Sequence, residues 1–206
     1  MHKFTDADRA RIKEAVVAAE QRTSGEFVAV AARVSDNYLS VALLWSVGLA
    51  LILPAPLLLL PTQLRYLDIY QLQIVAFILF TFLFEFLPGL HMALVPKRLR
   101  HAHASRLAHA QFFEQGVQLT REHSGVLLFV SLAERYVEIV ADKGIHEKLG
   151  EQRWQVIVDG FVAKVQAGDV TGGFVSAIAA CGEAMAEHYP ARPDDSDELS
   201  DGLIEI

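Results

Sequence analysis

The sequence has a single cysteine, Cys181, among its 206 residues, so it holds no pair of thiols for an intramolecular disulfide. It also has no surplus of basic residues, because 18 Lys and Arg stand against 25 Asp and Glu, for a formal net charge of −7. Broad nucleic-acid binding needs the opposite balance, since Lys and Arg neutralise phosphates. These two absences argue against a disulfide-stapled secreted protein and against a general nucleic-acid-binding protein.

Several catalytic and targeting signals are also missing. The phosphate-binding pattern GxxxxGK[ST] does not occur, and the glycine-containing stretch AGDVTGG lacks both its lysine and a preceding strand. No Ser-His-Asp arrangement is favoured, and Cys181 falls on an apolar helical stripe that predicts a small buried side chain. The first residues, MHKFTDADRARIKEAV, lack the apolar core of a secretory signal. Any membrane insertion is therefore expected to depend on internal segments.

Two long apolar runs are present instead. Residues 39–60 read LSVALLWSVGLALILPAPLLLL without a charge, and 22 helical residues span about 33 Å, the thickness of a bilayer core. Two registers compete for the second run, Ile69 to Leu87 and Leu72 to Val95. The shorter register keeps Glu85 near the membrane exit, whereas mid-bilayer placement would cost about 2.5–3.5 kcal/mol. We predict a transmembrane hairpin over residues 39–95, with helices at about 39–60 and 69–95 and Glu85 as its intramembrane polar residue.

A basic cluster follows the hairpin, at Lys97, Arg98, Arg100 and Arg106. Each such residue near anionic headgroups contributes about 1 kcal/mol to membrane attraction, so we predict that this cluster lies at the membrane surface. The positive-inside rule then places both termini in the cytoplasm and the loop PTQLRYLD outside. Histidines interleave with the cluster, but His-x-His on a helix does not place both rings on one face, which disfavours metal or RNA binding there.

The segments on either side of the hairpin predict a small α/β domain. The strand at 26–34 must return parallel to the strand at 125–132, which needs a long crossover; the hairpin and a helix over 96–123 supply it. The fold class is thus α/β, a small sheet flanked by helices and interrupted by a transmembrane hairpin. The expected organisation is a first domain part at 1–38, the hairpin at 39–95, a second domain part at 96–189 and an acidic mobile tail at 190–206.

Three acidic residues follow the predicted strands: Asp36, Glu134 and Asp142. Because the third strand runs antiparallel, Asp142 is expected at the opposite end of the sheet from Glu134. This geometry disfavours a site built from all three carboxylates.

Three stretches, RTSGEFVAV, SGVLLFVSLAERYVEIVADKGI and AGDVTGGFVSAI, occur in an order that resembles the TPM domain family. The resemblance is strongest to a bacterial membrane branch in which a hairpin interrupts the domain. It implies location in the bacterial inner membrane. Some members of the family are described as phosphatases or divalent-metal binders, and others as assembly or accessory factors of membrane complexes.

The resemblance also implies a position for a metal site after the third strand. There the matching residues are Asp142, His146 and Glu151, with histidine where the family usually has glutamate. Carboxylate oxygens suit a hard divalent cation, and the histidine softens that site. The expected function is an interaction or assembly module for membrane proteins, in contact with membrane lipids and without nucleic acid. The alternative is a membrane-anchored, metal-dependent phosphatase.

Overall fold

The computed structural model describes residues 3–58, 65–121, 123–192 and 198–206. The chain divides into two compact units, which we call the sheet unit (Met1–Ser35 with His101–Ile206) and the hairpin unit (Asp36–Arg100). In chain order the described elements are α1 (Asp6–Glu20), β1 (Glu26–Ala32), α2 (Leu39–Ile52), α3 (Ala55–Leu58), α4 (Tyr66–Phe86), α5 (Pro88–Leu94), α6 (Lys97–Glu114), β2 (Gly125–Ser131), β3 (Tyr136–Ala141), α7 (Lys143–Leu149), α8 (Glu151–Gln166), α9 (Val170–Ala186) and β4 (Leu203–Glu205).

The sheet has the strand order β3-β2-β1-β4. β1 and β2 are parallel, with Phe27 opposite Val126, whereas β3 pairs antiparallel with β2. The predicted fold class, a mixed α/β sheet flanked by helices, is confirmed, and so is the parallel return of the chain from β1 to β2.

Both faces of the central strands are covered, which explains their unbroken apolar sequences. On β1, Phe27 and Ala29 belong to the core beneath α1, α8 and α9, whereas Val28 and Val30 belong to a second core. That second core contains Ala104 and two further α6 positions, Ala108 and Phe112. The sheet unit is therefore three layers deep, with α1, α8 and α9 on one face of the sheet and α6 as the helix on the other, where Val117 and Leu199 also contribute to the second core.

Helix α1 begins at a reciprocal pair of capping residues. Thr5 is the N-cap, and its side chain accepts a hydrogen bond from the Asp8 backbone N–H while the Asp8 carboxylate accepts from the Thr5 N–H. This reciprocal pair satisfies two backbone donors at the helix start. Ile12, Val16 and Ala19 then fall on the buried face at helical spacing.

Two features of the sheet unit differ from the sequence prediction. The turn after β3 contains a short helix, α7, which begins after Asp142 and is separated from α8 by Gly150 with φ +76°. The prediction of a mobile tail over residues 190–206 is wrong for Leu203–Glu205, which form β4 and pair parallel with Ala29–Ala31. Residues 203–205 are too few to show a strand period in the sequence. They are held in place by pairing with the edge of β1 that β2 leaves open.

In the hairpin unit, α2 and α4 pack against each other. The buried positions of α2 are Ala42, Ser46 and Ala50, small side chains that let two helices approach closely. The predicted helix over 69–95 is in fact two helices, because α4 ends before Leu87 and Pro88 occupies the first position of α5. The predicted helix over 39–60 likewise stops at Ile52, and its last two residues lie outside the described ones.

Candidate functional site

The hairpin unit carries the most extensive apolar surface. Two helical segments, Leu39–Leu57 and Tyr66–Phe86, are long and apolar enough to cross a membrane, each with a mean hydropathy of 1.9. Only 22% of the first and 11% of the second is buried. Their large exposed side chains include Leu44, Leu51, Ile52, Leu67, Val75, Leu79, Phe82 and Phe86. The large apolar side chains are thus mostly exposed, whereas the buried residues are the small side chains of α2 and, on α4, Ala76 and Phe84.

Glu85 is the last residue but one of α4, and its side chain is exposed. Between Asp68 in the first turn of α4 and Glu85 in its last turn, the helix carries no ionisable residue other than Tyr70. The charged groups of α4 therefore stand at its two ends, which is the arrangement that the shorter register describes.

The basic cluster lies on α6. Lys97, Arg98 and Arg106 are exposed, and Arg100 is half-buried. Three of these cations fall in the first turn of the helix, where the partial positive charge of the backbone disfavours them. Helix stability therefore does not account for their position.

The histidines of α6 have local partners in the sheet unit. The His101 ring packs against the ring of Tyr136 on β3, with 5.0 Å between centroids. Burial raises the pKa of Tyr136 to about 12, and its hydroxyl donates to Glu138 at 3.0 Å. His109 Nδ1 lies 2.9 Å from the Ser105 carbonyl oxygen one turn earlier. These rings take part in packing and local hydrogen bonding.

The predicted metal ligands lie around α7. Asp142 is the N-cap of α7 and accepts from the Lys143 N–H at 2.6 Å, and its other oxygen is 3.3 Å from His123 Nδ1. His146 sits in the last turn of α7, and Glu151 begins α8 with an exposed side chain. Among the described residues, no three carboxylate, imidazole or thiolate side chains come together in a way that would hold a metal ion. The capping role explains Asp142, and the metal site stays a prediction without structural support.

Glu134 occupies the opposite end of the sheet from Asp142, as expected from the antiparallel strand. It is 2% exposed. Its two oxygens accept from the Ser35 backbone N–H at 2.9 Å and from the Ser131 hydroxyl. Ser35 Oγ in turn donates to Ser131 Oγ at 2.9 Å. This carboxylate fastens the turn after β2 to the residue at which the chain leaves the sheet unit.

Sequence reasoning found Glu134 but not its partners. The Glu134 carboxylate and the Ser35 N–H are separated by 99 residues, and only the parallel pairing of β1 with β2 brings them together. Cys181 is buried as predicted, at 1% exposure, and burial raises the pKa of its thiol to about 12.

Comparison with known proteins finds one matching domain family and a solved structure of similar fold. The TPM domain family matches residues 90–184, which include β2, β3 and all but the last residues of α9. The fold is similar to that of the BA42 protein from the psychrophilic bacterium Bizionia argentinensis, solved by NMR, with a TM-score of 0.62 and 17% sequence identity. That match covers 100% of this chain and 97% of the other. No curated protein matches the sequence. The chain therefore contains a match to the TPM domain, and its likeness to BA42 is one of fold.

Proposed function

We propose that this protein is an integral membrane protein of the bacterial inner membrane, in which the hairpin unit anchors a cytosolic TPM-like domain. The observation that carries the proposal is the exposure of α2 and α4. A core helix of a soluble protein would be mostly buried, whereas 78% or more of each apolar segment is not. A signal sequence would stand at the start of the chain, whereas α2 begins at Leu39.

The length and charge distribution of α4 support the same proposal. Its 21 residues rise about 30 Å along the helix axis, which matches the hydrocarbon core of a bilayer. The basic cluster at the start of α6 then stands where anionic headgroups would offset the unfavourable helix dipole. In this arrangement the hairpin lies within the TPM-like domain, as in the membrane branch of the family.

We propose further that the sheet unit is an interaction or assembly module for other membrane proteins. The anchoring supports this proposal, because a domain held at the inner face of the membrane is confined to the plane in which other membrane proteins diffuse. Asp142 caps α7, a role that needs no catalysis. Membrane extraction tests the anchoring, and turnover measurements then distinguish a binding module from a hydrolase.

Membranes from cells that express the full-length protein are washed with alkaline carbonate and then with detergent. We expect the protein to stay in the carbonate pellet and to be released only by detergent. Cysteine labelling of intact cells then tests orientation. A cysteine at Gln63 should react with an impermeant maleimide and a cysteine at Ser196 should not; both positions lie outside the described residues. Release by carbonate would overturn the anchoring, and the reverse labelling pattern would overturn the orientation.

Turnover measurements distinguish a binding module from a hydrolase. The detergent-purified protein is assayed for phosphate-ester hydrolysis with calcium, magnesium or manganese, beside an Asp142→Asn variant. Asn is also a good N-cap, so this variant keeps the start of α7 and removes only the charge. We expect no metal-dependent turnover; turnover that disappears in the variant would instead establish the phosphatase.

A further inference from the structure

The sheet unit has an open groove of about 750 Å³ at the end of the sheet where β1 and β2 finish. This volume lies in the range of small-molecule sites. Its lining is mostly apolar: Val130 and Val137 come from the sheet, Leu132 comes from the turn after β2, and Phe161, Val165 and Val170 come from α8 and the start of α9. A ligand that fills the groove must therefore present a substantial apolar part.

Two cations are among the residues that line this groove. Arg33 and Arg135 line it and are both exposed. The Ala133 N–H donates to the Arg33 carbonyl at 3.2 Å, so the end of β1 and the turn before β3 are tied at one edge. In the part of the chain that the structure describes, neither guanidinium has a carboxylate within ion-pair distance. The groove thus combines an apolar interior with two available planar cations.

The chain connects this edge directly to the hairpin unit. Only six residue steps separate Arg33 from Leu39, the first residue of α2, and six residues span at most about 20 Å. If α2 enters a bilayer, as the proposed function requires, its headgroup layer lies within that distance of Arg33. The short distance between the groove and the headgroups thus rests on the proposed function.

We infer that the groove binds an anionic membrane phospholipid, with its phosphate at Arg33 and Arg135 and an acyl chain between α8 and the sheet. Guanidinium groups match the geometry of phosphate oxygens through paired N–H donors. A free inorganic anion would leave the apolar lining unused, and a zwitterionic headgroup would bring a cation towards the two arginines. An anionic amphiphile satisfies both halves of the site.

The test uses the full-length protein reconstituted in phosphatidylcholine vesicles. A photoreactive lyso-phosphatidylglycerol with a diazirine in its acyl chain is added to one sample, and the matching lyso-phosphatidylcholine to another. After irradiation, mass spectrometry locates the modified peptides. We expect labelling within residues 161–170 by the glycerol lipid, at roughly ten times the yield of the choline lipid.

Three variants sharpen the assignment. Arg33→Gln/Arg135→Gln should lower labelling by the glycerol lipid about tenfold. Arg11→Gln/Arg22→Gln removes the same charge from exposed positions on and after α1, away from the groove, and should leave labelling unchanged. Val162→Trp, at a groove residue that is 37% exposed, should block the acyl chain without loss of the fold and reduce labelling at residues 161–170.

The outcomes separate this inference from the proposed function. Equal labelling by both lipids, or unchanged labelling in Arg33→Gln/Arg135→Gln, would overturn the lipid site while carbonate-resistant protein still supports the membrane anchor. Release of the protein from vesicles by carbonate would overturn the anchor itself. Cross-linked dimers in place of lipid adducts would assign the groove to a second copy of the chain and also overturn the lipid site.

Discussion

At the scale of single residues, the buried Glu134 carboxylate is the polar group with the clearest structural role. Replacing Glu134 with alanine leaves the Ser35 N–H and the Ser131 hydroxyl without their acceptor. An unsatisfied buried donor costs about 1–3 kcal/mol, so we expect Glu134→Ala to lower the free energy of unfolding by about 2–3 kcal/mol. Urea unfolding of the detergent-purified protein, followed by tryptophan fluorescence, measures this difference.

Glu14, which is exposed on α1, offers the matched control. Glu14→Ala removes the same carboxylate without burying a donor, and its effect should stay within about 0.5 kcal/mol. Equal effects of the two substitutions would mean that the Glu134 network contributes nothing specific.

Cys181 allows a second prediction at this scale. Because burial raises its pKa to about 12, a fraction of roughly 10⁻⁴ of the thiol is ionised at pH 8. We expect no detectable reaction of the native protein with a disulfide reagent at pH 8, and complete reaction in urea. A Gln152→Cys variant, with its new thiol at an exposed position, should react at once with one equivalent. Rapid native reaction of Cys181 would contradict its burial.

The same pKa also sets the sign of a pH dependence. The folded state holds the Cys181 proton more tightly than the unfolded state does. This contribution to stability is complete below the pKa of the unfolded thiol and is lost as the pH rises towards about 12. Destabilisation from this source therefore appears in alkaline solution and not in acid.

The burial of Cys181 was predictable because it follows from helical spacing within one element. The partners of Glu134 depend on a strand pairing across the whole hairpin, which no local pattern contains.

At the scale of elements, the packing of α1 against α9 depends on Gly182. A Cβ at this position would lie 2.9 Å from Ala19 Cβ and 3.2 Å from Ala19 Cα. At Gly160, inside α8, an added Cβ would meet nothing within 4 Å, so this glycine gives the matched control. Ala raises helix propensity by about 1 kcal/mol at either site. We expect Gly160→Ala to be neutral or stabilising, and Gly182→Ala to be about 1–3 kcal/mol less stable than it.

Thermal unfolding of the two variants measures this difference directly. The propensity gain is shared, so the comparison isolates the contact between α1 and α9. Similar melting temperatures would show that the two helices separate easily at Ala19.

The edge strand β4 carries another prediction. Its docking rests on backbone bonds that include Arg33 N–H to the Ile206 carbonyl at 2.8 Å and Ile206 N–H to the Ala31 carbonyl at 3.1 Å. Deletion of residues 203–206 removes these bonds and the cover of the β1 edge. We expect a loss of about 2 kcal/mol and faster amide exchange along β1, measured by hydrogen–deuterium exchange.

Glu205→Gln provides the comparison for that deletion. It removes only the partly exposed ion pair with Arg9, at 2.7 Å, and ion pairs in contact with solvent contribute little. Exchange along β1 should stay slow in this variant. Fast exchange in both variants would assign the stability to the ion pair instead of the strand.

At the scale of the whole molecule, the division into two units allows the hairpin to be removed. The sheet unit contains both cores and all four described strands, and α6 still supplies the parallel crossover. Replacing residues 36–100 with a short Gly/Ser linker should therefore give a folded protein in the soluble fraction. Circular dichroism and sedimentation after lysis measure the two properties.

Membrane-bound protein after removal of the hairpin would contradict this expectation. If the shortened chain stays with the membrane, the sheet unit binds the bilayer on its own, and the apolar helices are not the sole anchor. A matched variant, Leu44→Arg/Leu79→Arg, keeps the hairpin but breaks its apolar surface. A smaller fraction of this variant than of the deletion should appear in the soluble fraction.

The whole fold was predictable in outline because its periodic signals are strong. The unbroken apolar strands required cover on both faces, and the parallel return of β2 required a long connection. The groove beside Arg33 and Arg135 was not predictable, since its lining comes from the residue after β1, from β2, β3 and the turn between them, from α8 and from the start of α9. The strand β4 was missed because a three-residue strand has no readable period.

The order of strands in the sheet also determines when it can form during synthesis. β1 is synthesised before both of its neighbouring strands, since Phe27 pairs with Val126 and Ala29 pairs with Leu203. Throughout the translation of the hairpin and α6, its apolar residues have no strand partner on either edge, a state prone to aggregation. Insertion of the hairpin in the meantime would hold the nascent chain at the membrane. A ribosome stalled there would leave a tethered, half-built sheet, and quality-control proteases at the bilayer surface would encounter it before those of the bulk cytosol.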